Sequence, residues 1–146
     1  MTATLFARAI VTAIAAGQGV APVFIDLNRT HATNPLWAGH ARFHVVGQVS
    51  TELLVALLEI ALIWWPGTAM ADRFYLATAL AATPLVGFLV AMVARRLYGG
   101  TLYDPNGIQP IRLRTRSGEI EIQMNVAIIL VAAGMMAGAV ILFRLG

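Results

Sequence analysis

The chain has 146 residues, 59% of them hydrophobic and 12% charged, with a mean hydropathy of +0.77. Soluble domains carry about 25% charged residues, so this composition excludes an ordinary globular enzyme and implies an integral membrane protein. The formal charge of +3 rests on ten arginines and no lysine, scattered over helix ends and one hairpin, a distribution that fits membrane topology and excludes a nucleic-acid patch.

The expected fold is an all-α membrane protein: a four-transmembrane-helix bundle with a small β-hairpin between helices 3 and 4, forming one domain over 1–146. The first helix is expected over about 5–25, with Pro22 near its end as a kink or frayed turn. Met1 to Phe6 lacks a basic n-region and cleavage site, so this helix is expected to be retained. A polar connection follows from Asp26, with Asn34-Pro35 as a turn and Trp37 as an interfacial anchor. The second helix, about 40–65, ends at Trp64-Trp65-Pro66-Gly67, and the third covers about 73–96 around Thr83-Pro84. The fourth, about 125–144, carries a small-residue seam at Ala132, Ala133, Gly134, Ala137 and Gly138 that permits close helix contact.

Between helices three and four, Asp104-Pro105-Asn106-Gly107 reads as a type I turn. The stretch IRLRTR-SG-EIEIQ, about 110–124, alternates with period two. A hairpin closing at Ser117-Gly118 places Arg116 opposite Glu119, Arg114 opposite Glu121 and Arg112 opposite Gln123. Its other face holds Ile111, Leu113, Thr115, Ile120, Ile122 and Met124 and needs an apolar partner, either as a lid over the bundle or in the headgroup region. Arginines concentrate in the connections after helices one and three, which by the positive-inside rule puts both termini outside the cytoplasm. A bacterial inner (cytoplasmic) membrane is the expected location, the Arg-only usage being attributed to a GC-rich bacterial genome.

Candidate chemistry lies on the second helix. His40, His44, Gln48, Thr51, Glu52 and Glu59 fall within roughly a third of the circumference at about 100° per residue. An ionised carboxylate near the bilayer centre costs about 2.5 to 3.5 kcal/mol, so Glu52 and Glu59 are expected to face a bundle interior or cavity. The plainer alternative for Glu59 is an interhelical hydrogen bond, for example to Gln18 or Asn125; for the histidines it is contact of their polar edges with headgroups. Three histidines are too few for the eight-histidine di-iron pattern, and the absence of cysteine excludes thiolate catalysis and Cys-ligated metals. Nothing resembles a nucleophile elbow, a P-loop or a dinucleotide fingerprint.

The four-span pattern, the acid after the first span in PVFIDLN and the acid in TELLVALLEI resemble the EXPERA membrane family, which includes emopamil-binding-type sterol isomerases and sigma-2-receptor-like proteins. The resemblance implies a hydrophobic cavity between helices, with Asp26 and Glu52 as its acids, binding a cationic amine or protonating a sterol-like alkene. NPLWAGHARFH also resembles uncharacterised small bacterial four-span membrane proteins.

The expected function is acid/base isomerisation, cyclisation or epoxide opening on an apolar isoprenoid- or polyketide-like substrate. Glu52 is the expected acid and His44 the base or relay, with Asp26 and His40 assisting; Gln48, Thr51, Glu59, Trp37 and Asn34 are the expected substrate contacts. No metal and no cofactor are assigned. Expected partners are a lipophilic small-molecule substrate and membrane lipid, with no nucleic acid, and a homo-oligomer is one allowed assembly. A binding or transport protein for lipophilic molecules or cations is the main alternative, and a structural subunit the third.

Overall fold

The structure, a computed structural model, describes every residue except Met1, Asn106 and Ser117. It contains four long helices, α1 (Thr2–Ile25), α2 (Gly39–Trp64), α3 (Met70–Ala94) and α4 (Met124–Leu145), with a short 3-10 turn at Arg95–Leu97 and a hairpin of β1 (Ile111–Thr115) and β2 (Gly118–Ile122). All four helices are long and apolar enough to cross a membrane. Each begins and ends within about four residues of the expected bounds.

α1 is the central element. It packs along α2 and α4, while α2 also packs on α3, and α3 touches α4 little. Both termini lie at one end of the bundle, with Gly146 against Thr4. That end holds the tightest core: Ala7 and Val11 of α1, Ile63 of α2, Phe74 and Ala77 of α3, and Ala139 of α4. The Phe74 and Phe143 rings stack there at 3.9 Å between centroids.

Arg8 secures the same end. Its Nε and Nη2 donate to Ile63 O at 3.1 and 2.7 Å, its guanidinium lies 4.3 Å from the Trp64 ring centroid, and Trp64 Nε1 donates to Thr12 Oγ1 at 2.8 Å. A cation at the carbonyl end of α2 is also well placed against the helix dipole. The next turn is wrapped by Arg73, which donates to the carbonyls of Thr68, Trp65 and Gly67 and so fills acceptors that the break at Pro66 leaves open.

Three expectations are corrected. In the hairpin, Arg114 pairs with Glu119 and Arg112 with Glu121, so the register is two residues tighter and the ladder closes at Thr115 and Gly118; Ser117 lies outside the described residues. Gly118 has φ +135°, a conformation that suits glycine, and Thr115 Oγ1 donates to its carbonyl at 2.7 Å. A slip of two preserves both faces, which is why the charged and apolar sets survive it. The lid is not formed: every strand residue is exposed, Ile111, Leu113, Ile120 and Ile122 included. The α4 seam is internal only in part: Ala132 packs on the core and Gly138 is half-buried, whereas Ala133, Gly134 and Ala137 are exposed and Met136 and Ala139 are buried instead. Four helices with α1 at the centre leave part of α4 facing outward.

The turn at Asp104 is closed by Gly107 N–H donating to Asp104 O at 2.9 Å; Asn106 lies outside the described residues.

Among the glycines, Gly19 makes the closest approach to another helix. A Cβ there would lie 2.6 Å from Ala56 Cβ, so α1 and α2 touch backbone to side chain without room for a methyl group. Gly19→Ala should destabilise the protein by about 1 to 3 kcal/mol through overpacking. Ala56→Gly in the same chain should restore part of that loss. Unfolding of the reconstituted single and double variants measures both.

Candidate functional site

A cavity of about 350 Å³ lies between α1, α2 and α3. Its wall consists of Gln18 from α1, Gln48, Thr51, Glu52, Val55, Ala56 and Glu59 from α2, and Thr83 and Pro84 from α3. This volume is at the lower end of the range of small-molecule sites, about 300 to 1,000 Å³.

Pro84 shapes the α3 wall. It has no N–H for the carbonyl of Leu80 one turn earlier, and Thr83 Oγ1 donates to that carbonyl instead, at 2.7 Å. The neighbouring carbonyl of Ala81 accepts from Gln18 Nε2 at 2.9 Å, tying α1 to α3 beside the kink. Gln18 itself precedes Pro22 by one turn, so its own carbonyl also lacks the usual helical donor. Pro84 thus lines the cavity directly, and Pro22 frees a carbonyl on a residue of its wall.

The lining's hydrogen atoms are largely committed. Thr51 Oγ1 donates to Gly47 O at 2.9 Å, Thr83 Oγ1 to Leu80 O, Gln18 Nε2 to Ala81 O, and Gln48 Nε2 to Glu52 Oε1 at 3.0 Å. Acceptors remain. Among the described residues, three buried side-chain atoms have no hydrogen-bond partner: Gln18 Oε1, Glu59 Oε2 and Arg73 Nε. Two of these belong to cavity residues, and both are oxygens. Glu59 is 1% exposed and Glu52 partly buried, so the two acids sit in unlike surroundings, one bonded by Gln48 and one with a free oxygen. Leaving such an atom unpaired costs about 1 to 3 kcal/mol, more if charged, so a ligand that supplies a donor recovers that energy.

The expected stripe is therefore divided. Gln48, Thr51, Glu52 and Glu59 come together in the cavity; His40 and His44 do not line it. They are exposed in the first turns of α2, with their Nε2 atoms 2.9 Å apart. Asp26, Asn34 and Trp37 belong to the connection between α1 and α2. Asp26 Oδ1 is 3.4 Å from His31 Nδ1, and the His31 ring meets Trp37 edge-on at 5.1 Å. Asn34 is buried and closes this loop: its Nδ2 donates to Thr30 O at 3.0 Å and its Oδ1 accepts from Leu36 N–H at 3.0 Å. Among the described residues, no three His, Asp or Glu side chains are grouped to hold a metal ion.

Sequence reasoning did not place Thr83 or Pro84 at a site and named Gln18 only as a structural partner for Glu59. The Thr-Pro pair inside an apolar helix was the available signal, because a freed carbonyl there calls for a polar neighbour.

No family model, curated protein or solved structure matches the chain.

Burial holds the Asp26 carboxyl above its usual value, partly offset by the nearby His31. A raised folded value means that the folded loop binds more protons than the unfolded one as pH climbs through and just above the ordinary carboxyl range. Loop stability should therefore fall over that window and stay flat above it. Hydrogen exchange of residues 26–38 against pH should show this trend, and Asp26→Asn should flatten it.

Proposed function

We propose that this multi-pass protein resides in a bacterial cytoplasmic membrane as a four-transmembrane-helix bundle and takes up a lipophilic small molecule bearing a hydrogen-bond donor, above all a protonated nitrogen. The ligand reaches the α1–α2–α3 cavity laterally from the lipid. The observation that carries this reading is the pair of buried, unpartnered oxygens, Gln18 Oε1 and Glu59 Oε2, on residues of a cavity wall whose donors are mostly committed to the protein. Val55, Ala56 and Pro84 supply the apolar part of the wall, suited to a hydrocarbon skeleton. The likeness to EXPERA proteins agrees with cavity acids. Of its two carried-over acids, Glu52 lines the cavity, whereas Asp26 pairs with His31 in the loop.

A second reading, acid/base turnover of an apolar alkene or epoxide, is favoured by one specific observation: two carboxyl groups with different hydrogen bonding share the cavity. One would deliver a proton and the other accept one, with no step assigned to His44 or Asp26, which lie outside the lining. The orientation proposed from the arginines, with both termini outside the cytoplasm, places the His40 end of α2 on the cytoplasmic side.

The test uses protein in lipid nanodiscs, a fluorescent lipophilic tertiary amine and its uncharged carbon isostere. The amine should bind at least tenfold tighter than the isostere, and Glu59→Gln should remove most of that difference while Glu52→Gln reduces it less. Equal binding of both probes would overturn the proposal. Product formation from an alkene or epoxide, lost in Glu52→Gln and in Glu59→Gln, would establish the second reading.

A further inference from the structure

The His40–His44 pair is absent from the cavity wall, yet its two rings meet on the outer surface of α2. The two Nε2 atoms are 2.9 Å apart, the ring centroids 4.4 Å, and the planes nearly perpendicular at 81°. Phe43 flanks both, stacked with His40 at 6.5 Å and edge-on to His44 at 5.9 Å.

A distance of 2.9 Å is a hydrogen bond when one Nε2 carries the proton. It is also the separation of two nitrogens that share a metal. With bonds of about 2.0 to 2.1 Å, two imidazoles at right angles stand about 2.9 Å apart, and at the tetrahedral angle about 3.3 to 3.4 Å. A small opening of the rings covers that whole range. Since both residues lie on one regular helix four apart, the backbone needs no movement to bring them to a common ion.

We propose that His40 and His44 form a bidentate site for one borderline divalent cation, zinc, nickel or copper, to which imidazole is suited and magnesium or calcium is not. Both Nε2 atoms present lone pairs to the ion. The ring that donated the hydrogen bond moves its proton to Nδ1, so no proton is lost when both rings start neutral. Two protein ligands make an open site, consistent with the absence among the described residues of any three-ligand group. The remaining positions are left to water, or to an oxygen of a lipid headgroup or soluble anion at this end of the helix. The site stands apart from the cavity, so it does not depend on the function proposed above.

The experiment uses the full chain without a histidine tag, purified in detergent and titrated with Ni2+ and with Cu2+. One ion should bind per chain, and His40→Gln and His44→Gln should each weaken binding at least tenfold. His31→Gln should leave it unchanged. Electron paramagnetic resonance of the Cu2+ form should show coupling to two imidazole nitrogens, reduced to one in either single variant. Helicity measured by circular dichroism confirms that the variants remain folded. Affinity changed less than threefold in the single variants, or retained in the double variant, would overturn the proposal, as would coupling to a single nitrogen in the parent.

Discussion

Inside an apolar surrounding a polar group has no water to turn to, and its hydrogen bonds must come from the protein. The architecture follows from that constraint. Thr12, Ser50, Thr51 and Thr78 each return the hydroxyl proton to the carbonyl one turn earlier, which makes them compatible with apolar helices. Where proline breaks the ladder in α3, Thr83 and Gln18 donate to carbonyls at the break. Where α2 ends, Arg8 covers the carbonyl of Ile63, and Arg73 covers the turn that follows. Among the described residues, the cavity wall holds two of the three buried side-chain atoms for which this accounting stays open.

That location has a structural cause. The end of the bundle near the termini is closed by stacked aromatic rings and small residues, Phe74, Phe143, Ala7 and Ala77 among them. Further along, Ile14, Ala81, Leu85 and Met136 continue the core on the α1, α3 and α4 side. On the other side of α1, the row Gln48, Thr51, Glu52 and Glu59 replaces apolar filling with polar or charged side chains, and volume remains between the helices. Removing hydrocarbon from one face of α2 produces the space and its polarity together.

Helix positions were legible in the sequence because long apolar runs bounded by Trp-Pro-Gly, Arg-Arg and Asn-Pro leave few alternatives. The partition of the α2 stripe was not. Periodicity places His40 and Glu59 on one face, but it carries no information on where neighbouring helices stop covering that face; Glu59 is 1% exposed and His40 is open. Hairpin parity was readable from alternation, whereas register depended on which residues would form the turn, and Gly118 with its positive φ belongs to a strand end. Asn34 resembles a candidate ligand contact in sequence, yet its amide is engaged by Thr30 and Leu36. The partners of a side chain amide lie beyond what one-dimensional pattern reports.

The contact between Gly19 and Ala56 works as a fulcrum. Two helices that meet at a point without an intervening side chain can rock about it, while sliding along one another would drive Ala56 into the α1 backbone. Of the three walls, α1 and α3 are the pair packed least against each other. Gln18 to Ala81 is the polar tether between them, and one such bond contributes about 0.5 to 1.5 kcal/mol net. Together with the apolar contact of Ile14 with Ala81 and Leu85, that amide holds the α1–α3 seam, so the width of the cavity is set by one polar tether and a small patch of hydrocarbon.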